Sequence, residues 1–327
     1  MTQKYGKGSL YAIGPGSKIV HYILQEGFCN SKCRHCYMHF QNQKVQKRNL
    51  GIAEQDLQNL ISSGYSPHLR GTEILLNPEY LSLFSLIKQN YIQTNGKKLS
   101  ENPSLFDDLH EVGIQKIYLT YPTEPQNMID ISKDVVDEVI KKSSENGFRT
   151  IVNFIVTKDI STRLTGDAAY LEKLCENLIK KGANELRFVR LVPFSDELLG
   201  ITPSSEEMKK IIEESVRLEH IYQGKLDVTR SGQCGFFDLR RELKEKYFGI
   251  KVPSPEESGV MDCHGGKQLF VIDLKNNVYP CLFLMSENDK IGEFTGGNII
   301  ITNQERIPAK LHLEDCPAHT INSERLK

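Results

Sequence analysis

Cysteine spacing constrains this chain more than any other feature. Three thiols, Cys29, Cys33 and Cys36, stand at C-x3-C-x2-C spacing in one short loop that follows the apolar run at 19–24. Three soft ligands suit a cubane iron-sulfur cluster that keeps one iron open for an outside ligand, whereas a closed structural zinc site takes four protein ligands. His35 or His21 could complete a zinc set, so on the spacing alone both metals stand. The missing fourth cysteine is the informative feature.

The rest of the chain sets the frame for that loop. Length, 327 residues, allows about two domains. From residue 18 onward, short apolar runs alternate with helical patterns, the mark of repeated β-α units and a parallel sheet. Strands are predicted near 18–25, 67–71, 90–94, 115–121, 149–156 and 185–191. Helices are predicted near 52–63, 78–88, 103–112, 131–146, 168–181 and 204–219. Six such units make an α/β fold, an open, partial (β/α)6 TIM-like barrel, in which functional groups sit at the C-terminal ends of strands. The thiol loop lies there, after the first strand. A formal charge of −1, with no basic stripe or aromatic-interleaved patch, argues against nucleic acid. No apolar run approaches 18 residues and no charged-then-apolar leader is seen, so no membrane partner and a cytoplasmic location are expected. In that compartment eight cysteines read as metal ligands rather than disulfides.

At Cys29, Cys33 and Cys36 the sequence resembles the radical S-adenosylmethionine (SAM) enzymes, whose motif is C-x3-C-x-aromatic-C. His35 stands where an aromatic residue is usual, and His35 and Tyr37 are implied neighbours of the bound SAM. After the second strand, Gly71-Thr72-Glu73 resembles the family's Gly-Gly-Glu-Pro motif, with Thr72 in place of the second glycine and Ile74 in place of proline. The resemblance implies SAM binding by Gly71, Thr72 and Glu73, the glutamate taking the ammonium through a charge-assisted hydrogen bond. A plain strand-to-helix turn with Pro78 in the first helical turn is the competing reading. Later strand ends offer Asn95, Thr120, Asn153 and Arg190 for the ribose hydroxyls and the SAM carboxylate. Asn95-Gly96 equally reads as a turn. Cys175, among helical leucines, reads as an inert core thiol.

Past residue 220 strong helical periodicity stops and cysteines return at 234, 263, 281 and 316. The stretch 270–281 reads as two strands joined by an Asn-Asn turn, with Cys263 and Cys281 at the outer ends. This resembles the twitch or SPASM appendage of radical SAM enzymes, with Asn276 at the usual glycine and Cys316 as the cysteine after the gap. The division implied is 1–17 as lead-in, 18–220 as barrel and 221–327 as a small twitch-type α+β appendage. The cofactors implied are a SAM-binding 4Fe-4S cluster, a second auxiliary 4Fe-4S cluster and SAM itself, which is cleaved to a 5'-deoxyadenosyl radical that takes hydrogen from carbon. An electron donor such as flavodoxin or ferredoxin is implied as partner. Cys263, Cys281 and Cys316 give the second cluster three ligands. Cys234 stands as its fourth or as a catalytic hydrogen-atom donor, with a packed thiol beside Phe236 and Phe237 as the plain alternative. Three functions remain open: modification of a ribosomally made peptide by crosslinking or epimerisation, dehydrogenation or epimerisation of a small polar molecule such as an aminosugar, and a non-enzymatic metal-bearing scaffold or electron carrier. The twitch resemblance favours the first, while a lead-in too short for a leader-peptide-binding domain favours the second.

Overall fold

Strand β1 (Lys18–Glu26) has eight of its nine residues buried and uses both edges. It pairs in parallel with β3 (Tyr65–Gly71) on one side and with β9 (Leu269–Ile272) on the other, so that Tyr22 lies opposite both Leu69 and Ile272. A strand covered on both faces and both edges needs the near-continuous apolar run that 19–24 supplies. The structure, a computed structural model, describes residues 18–36, 38, 45–122, 130–167, 169–231, 236–252, 264–308 and 316–326.

Five further strands form a parallel sheet in sequence order: β4 (Tyr91–Thr94), β5 (Lys116–Tyr121), β6 (Arg149–Val156), β7 (Glu185–Arg190) and β8 (Asp227–Ser231). Among the described residues no backbone ladder joins β3 to β4. The Gln89 side chain bridges the seam instead, accepting from Leu69 N at 2.5 Å and donating to Tyr91 O at 2.8 Å. The antiparallel strands β10 (Asn277–Tyr279), β11 (Gly292–Thr295) and β12 (Asn298–Ile301) continue the first sheet outward from β9, and the two-residue β2 (Gln46–Lys47) pairs with the end of β1.

All six predicted barrel strands are present. Helices α1 (Leu50–Ser62), α3 (Leu105–Glu111), α4 (Lys133–Glu145), α6 (Tyr170–Lys180) and α8 (Ser205–Ile221) match predicted ones, and α2 (Lys97–Glu101), α5 (Lys158–Gly166), α7 (Asp196–Ile201), α9 (Phe237–Phe248) and α10 (Pro317–Arg325) are additional. Asn49, Ser132 and Ser204 cap α1, α4 and α8 through their side chains, with a capping box at Ser204 and Glu207. The stretch predicted as a helix at 78–88 is instead a 3-10 helix, Pro78–Leu86. Its buried residues recur three apart, Tyr80 with Leu83 and Leu81 with Phe84, the spacing of a 3-10 turn. The Asn-Asn turn is also present, with Asn276 in the left-handed region at φ 63°. Cys175 is fully buried on α6, its thiol pushed up to about 12 by burial. Among the described residues no helix is long and apolar enough to cross a membrane.

Arg48 ties the first strand to the C-terminal hairpin. Its Nη1 donates to Asn276 Oδ1 at 2.7 Å, its Nη2 to the Asp273 carbonyl and its Nε to the Ile23 carbonyl at 3.3 Å, while the guanidinium lies 4.3 Å from the Tyr22 ring. The residue is 7% exposed. Arg48→Ala strips donors from buried acceptors and is expected to cost about 3–5 kcal/mol in urea unfolding, the scale for breaking a buried charged network. Arg48→Lys should recover only part of that, because an ammonium lacks the planar fork. A loss below about 1 kcal/mol, typical of surface sites, would contradict the tie.

Candidate active-site cavity

The strands are parallel, so their C-terminal ends share one side of the sheet, and there a cavity of about 420 Å³ opens. Cys29, Cys33 and Cys36 all line it. Their loop is held from several directions. Lys97 Nζ donates to Asn30 O at 2.9 Å, Asn95 Nδ2 donates to Asn30 Oδ1 at 2.7 Å, and Asp130 Oδ2 accepts from Lys32 N at 3.2 Å. Thr72 Oγ1 donates to the carbonyl of Phe28, just before the first cysteine. Asn95 Nδ2 also reaches Cys29 Sγ at 3.8 Å. Asn95 makes the turn that the sequence allowed, since its Oδ1 accepts from Lys97 N at 2.9 Å in a turn that Gly96, at φ 87°, completes.

Burial pushes the Cys29 and Cys36 thiols up to about 11 and raises Cys33 as well. Neutral thiols in a half-buried loop become good ligands once a bound cation offsets the cost of ionising them. In a cubane each cysteine binds a different iron, so three thiols need to border one space rather than converge on one point. Among the described residues no three His, Cys, Asp or Glu side chains converge on a single-ion site. Three sulfur donors facing one cavity fit a cluster with an open iron.

The structure brings most of the other sequence-derived candidates to the same cavity. His35, Gly71, Thr72, Asn95, Thr120, Asn153 and Arg190 line it. Gly71 permits a close approach: a Cβ there would lie 2.8 Å from Gln25 Cγ. Glu73 does not line the cavity. It is 1% exposed, and its carboxylate accepts from Thr94 Oγ1 at 2.8 Å, Asn95 N at 2.7 Å and Leu75 N at 3.4 Å. Three donors of the chain thus meet the carboxylate that the sequence assigned to an outside ammonium. Through them Glu73 fixes the turn that carries Asn95.

Tyr37, Cys234 and Cys263 lie outside the described residues. Cys281 and Cys316 come together in one apolar cluster with Leu284 and Ala318, and Phe283, packed against that cluster, also lines the cavity. Sequence reasoning missed Arg70, a 4% exposed cation on β3 that lines the cavity wall, and the pair Phe194 and Phe283, whose rings stack at 6.4 Å beside it. A charged residue inside a barrel strand was the available signal for Arg70. Nothing in the sequence paired the two phenylalanines.

No protein-family model and no curated protein matches the sequence. Solved structures do match in shape. SuiB from Streptococcus suis bound to S-adenosylmethionine superposes with a TM-score of 0.62 at 15% identity, over 94% of this chain and 68% of that one. SuiB bound to its precursor peptide SuiA gives 0.63 over 93% and 66% at the same identity. anSMEcpe with bound AdoMet and the Kp18Cys peptide gives 0.60 at 14% identity over 94% of this chain and 84% of that one. The chain has the radical SAM fold. Within that fold the thiol loop follows the first strand and opens onto the cavity, and the C-terminal hairpin closes against the same strand.

The Glu73 carboxyl is pushed up to about 7 by burial, against an ordinary 4.5. A folded-state value above the unfolded one means the folded chain holds the proton more tightly. The stability this gives is complete below pH 4.5 and is lost as pH rises through 7. In the cluster-free chain, the stability of wild type relative to Glu73→Gln should therefore fall between pH 4.5 and 7.5, by about 3 kcal/mol at most. Urea unfolding across that range checks it, and a pH-independent difference would exclude the linkage.

Proposed function

We propose that this protein is a radical SAM enzyme whose Cys29, Cys33 and Cys36 hold a four-iron cluster, and that its substrate is a peptide. The observation that carries the reading is three cysteines at C-x3-C-x2-C spacing on one wall of a cavity at the C-terminal ends of a partial barrel. Such a cluster, held by Cys29, Cys33 and Cys36 and served by an electron donor such as flavodoxin or ferredoxin, would supply reductive SAM cleavage and with it the radical chemistry that takes hydrogen from carbon. What the chain contributes is position and exclusion. Asn95 and Lys97 hold the thiol loop, His35 offers a planar face, and Thr120 and Asn153 present polar groups to the ribose. Arg190, 3% exposed and flanked by His319 and Phe236, offers a cation to the SAM carboxylate. The SAM ammonium, with Glu73 taken up by the chain, falls to the backbone carbonyls of the Gly71-Thr72 edge. Apolar walls from Ile131, Ile155, Leu191, Val192 and Leu282 keep water from a reactive carbon centre. Support for a peptide substrate comes from SuiB, bound to the precursor peptide SuiA, and from anSMEcpe, bound to the Kp18Cys peptide.

The segment from 221 onward is assigned to an auxiliary four-iron cluster. Cys281 and Cys316, sharing one apolar cluster behind Phe283, are two of its ligands. Cys263 and Cys234 complete the set, with Cys234 as the alternative hydrogen-atom donor.

Two measurements test these assignments. Anaerobically reconstituted protein should hold about eight irons, four per cluster, and release 5'-deoxyadenosine when given SAM and a strong reductant. Cys33→Ala should abolish that release, and a variant that still cleaves SAM would falsify the first assignment. Cys281→Ala and Cys316→Ala should each lower the iron count to about four while SAM cleavage persists. Unchanged iron in both removes the second cluster from these cysteines. Absence of SAM cleavage in the fully loaded wild type would turn the reading to a scaffold or electron carrier.

A further inference from the structure

The strands that end at the thiol cavity begin on the opposite side of the sheet, where a second cavity of about 180 Å³ opens. Lys116, Arg149 and Glu185 are the first residues of β5, β6 and β7, and Arg187 follows on β7. With Lys88 they give the wall four cations against one carboxylate. That carboxylate is fully engaged. Glu185 Oε1 accepts from Arg187 Nε at 3.1 Å, Arg187 Nη2 at 2.5 Å and Thr229 Oγ1 at 2.7 Å, and its Oε2 accepts from Arg149 Nη2 at 3.2 Å.

Asp227, beside the wall, takes Arg149 at 2.5 Å, so that with Glu185 on Arg187 the two arginines are balanced and the two lysines are not. Lys88 and Lys116 have no carboxylate partner among the described residues. Arg187 is 2% exposed, and its Nη1 makes no hydrogen bond among the described residues. His68, also on the wall, adds no charge near neutral pH, because burial and then the nearby Arg70 push its ring down to about 4.

We infer that this cavity is a binding site for a small oxyanion of phosphate-group chemistry, either the free ion or the phosphate end of a small metabolite. Lys88 and Lys116 reach it from the rim as point charges, and Arg187 and Arg149 form its floor and side. The size admits a phosphate group and a short organic tail but no polymer. Nothing in this site depends on what happens at the thiols, so it stands or falls separately from the reading of the first cavity.

Titrating the full chain with sodium phosphate by calorimetry, at about 50 mM salt, tests it, since weaker screening at low ionic strength preserves the contact. Saturable one-to-one binding is expected. Lys88→Gln and Lys116→Gln, both at accessible positions that the fold tolerates, should each weaken it roughly tenfold, the scale of one charge-assisted hydrogen bond. Lys275→Gln, in the exposed turn between β9 and β10 at the other end of the strands, should leave it unchanged. Glycerol phosphate is titrated beside inorganic phosphate: tighter binding of the ester identifies a metabolite site, and equal binding identifies a site for the free ion. Failure to saturate below about 10 mM, a Kd weaker than roughly 3 kcal/mol of binding, overturns the inference. Equal affinities for wild type and both rim variants overturn it too.

Discussion

The parallel pairing of β1 with both β3 and β9 is the constraint on which the rest depends. A parallel neighbour cannot be made by a hairpin, so the chain must leave and come back to supply it. It does so twice, once directly through α1 and once after the whole run from β4 to β8. The second return fastens the C-terminal hairpin to the first strand, and through that hairpin it brings Leu282 and Phe283 to the cavity that the thiol loop opens onto. Arg48 cross-ties the same junction, taking the carbonyls of Ile23 and Asp273 and the side chain of Asn276 with one planar group.

The thiol loop itself has no regular structure, and its position is set by side chains from later strand ends. Asn95 is the hub: its amide reaches Asn30 and Cys29, its oxygen caps the turn into α2, and its backbone N–H is held by Glu73. Gln25, at the end of β1, donates to the Glu73 carbonyl at 2.6 Å and is bonded in turn by Asn77. Three strand ends are thus locked to one another before any ligand arrives. A loop so pre-organised loses little freedom on loading, which is what holding a cluster or a substrate within fractions of an ångström demands.

The barrel and the thiol loop were legible because both write short-range patterns. Apolar runs alternating with helical stretches give β-α units, and C-x3-C-x2-C gives a three-ligand loop, without knowledge of distant residues. What escaped was set at long range. Helix α9 has only a short stripe, Leu239, Leu243 and Tyr247, and is held on α8 also by Lys244 with Glu219, Lys246 with Glu213 and His220 against Phe248, so a run of charged residues masks its periodicity. Strand β8 carries one buried apolar residue, Val228, and exists because β7 offers it an edge. The direction of the Glu73 carboxylate was likewise invisible. Motif position put it beside a ligand, but its donors, Thr94 and Asn95, come from a strand whose place next to β3 depends on the Gln89 bridge.

Between the two cavities the barrel interior is polar, and that choice limits what its side chains can do. Arg70, on the wall of the first cavity, donates Nε to His21 Nδ1 at 3.0 Å and Nη2 to Tyr91 Oη at 3.0 Å, and the Tyr91 hydroxyl meets His68 Nδ1 at 3.0 Å on the wall of the second. Burial, with the Arg70 charge alongside, holds both histidine rings below their ordinary value. A neutral His21 ring can accept from the guanidinium and a neutral His68 ring can meet the Tyr91 hydroxyl, which is the hydrogen bonding this column requires, and neither ring is a cationic acid near neutral pH. An apolar plug would have filled the same space at lower desolvation cost. The polar column instead gives Arg70 partners toward both ends of the barrel, His21 directly and His68 through the Tyr91 hydroxyl.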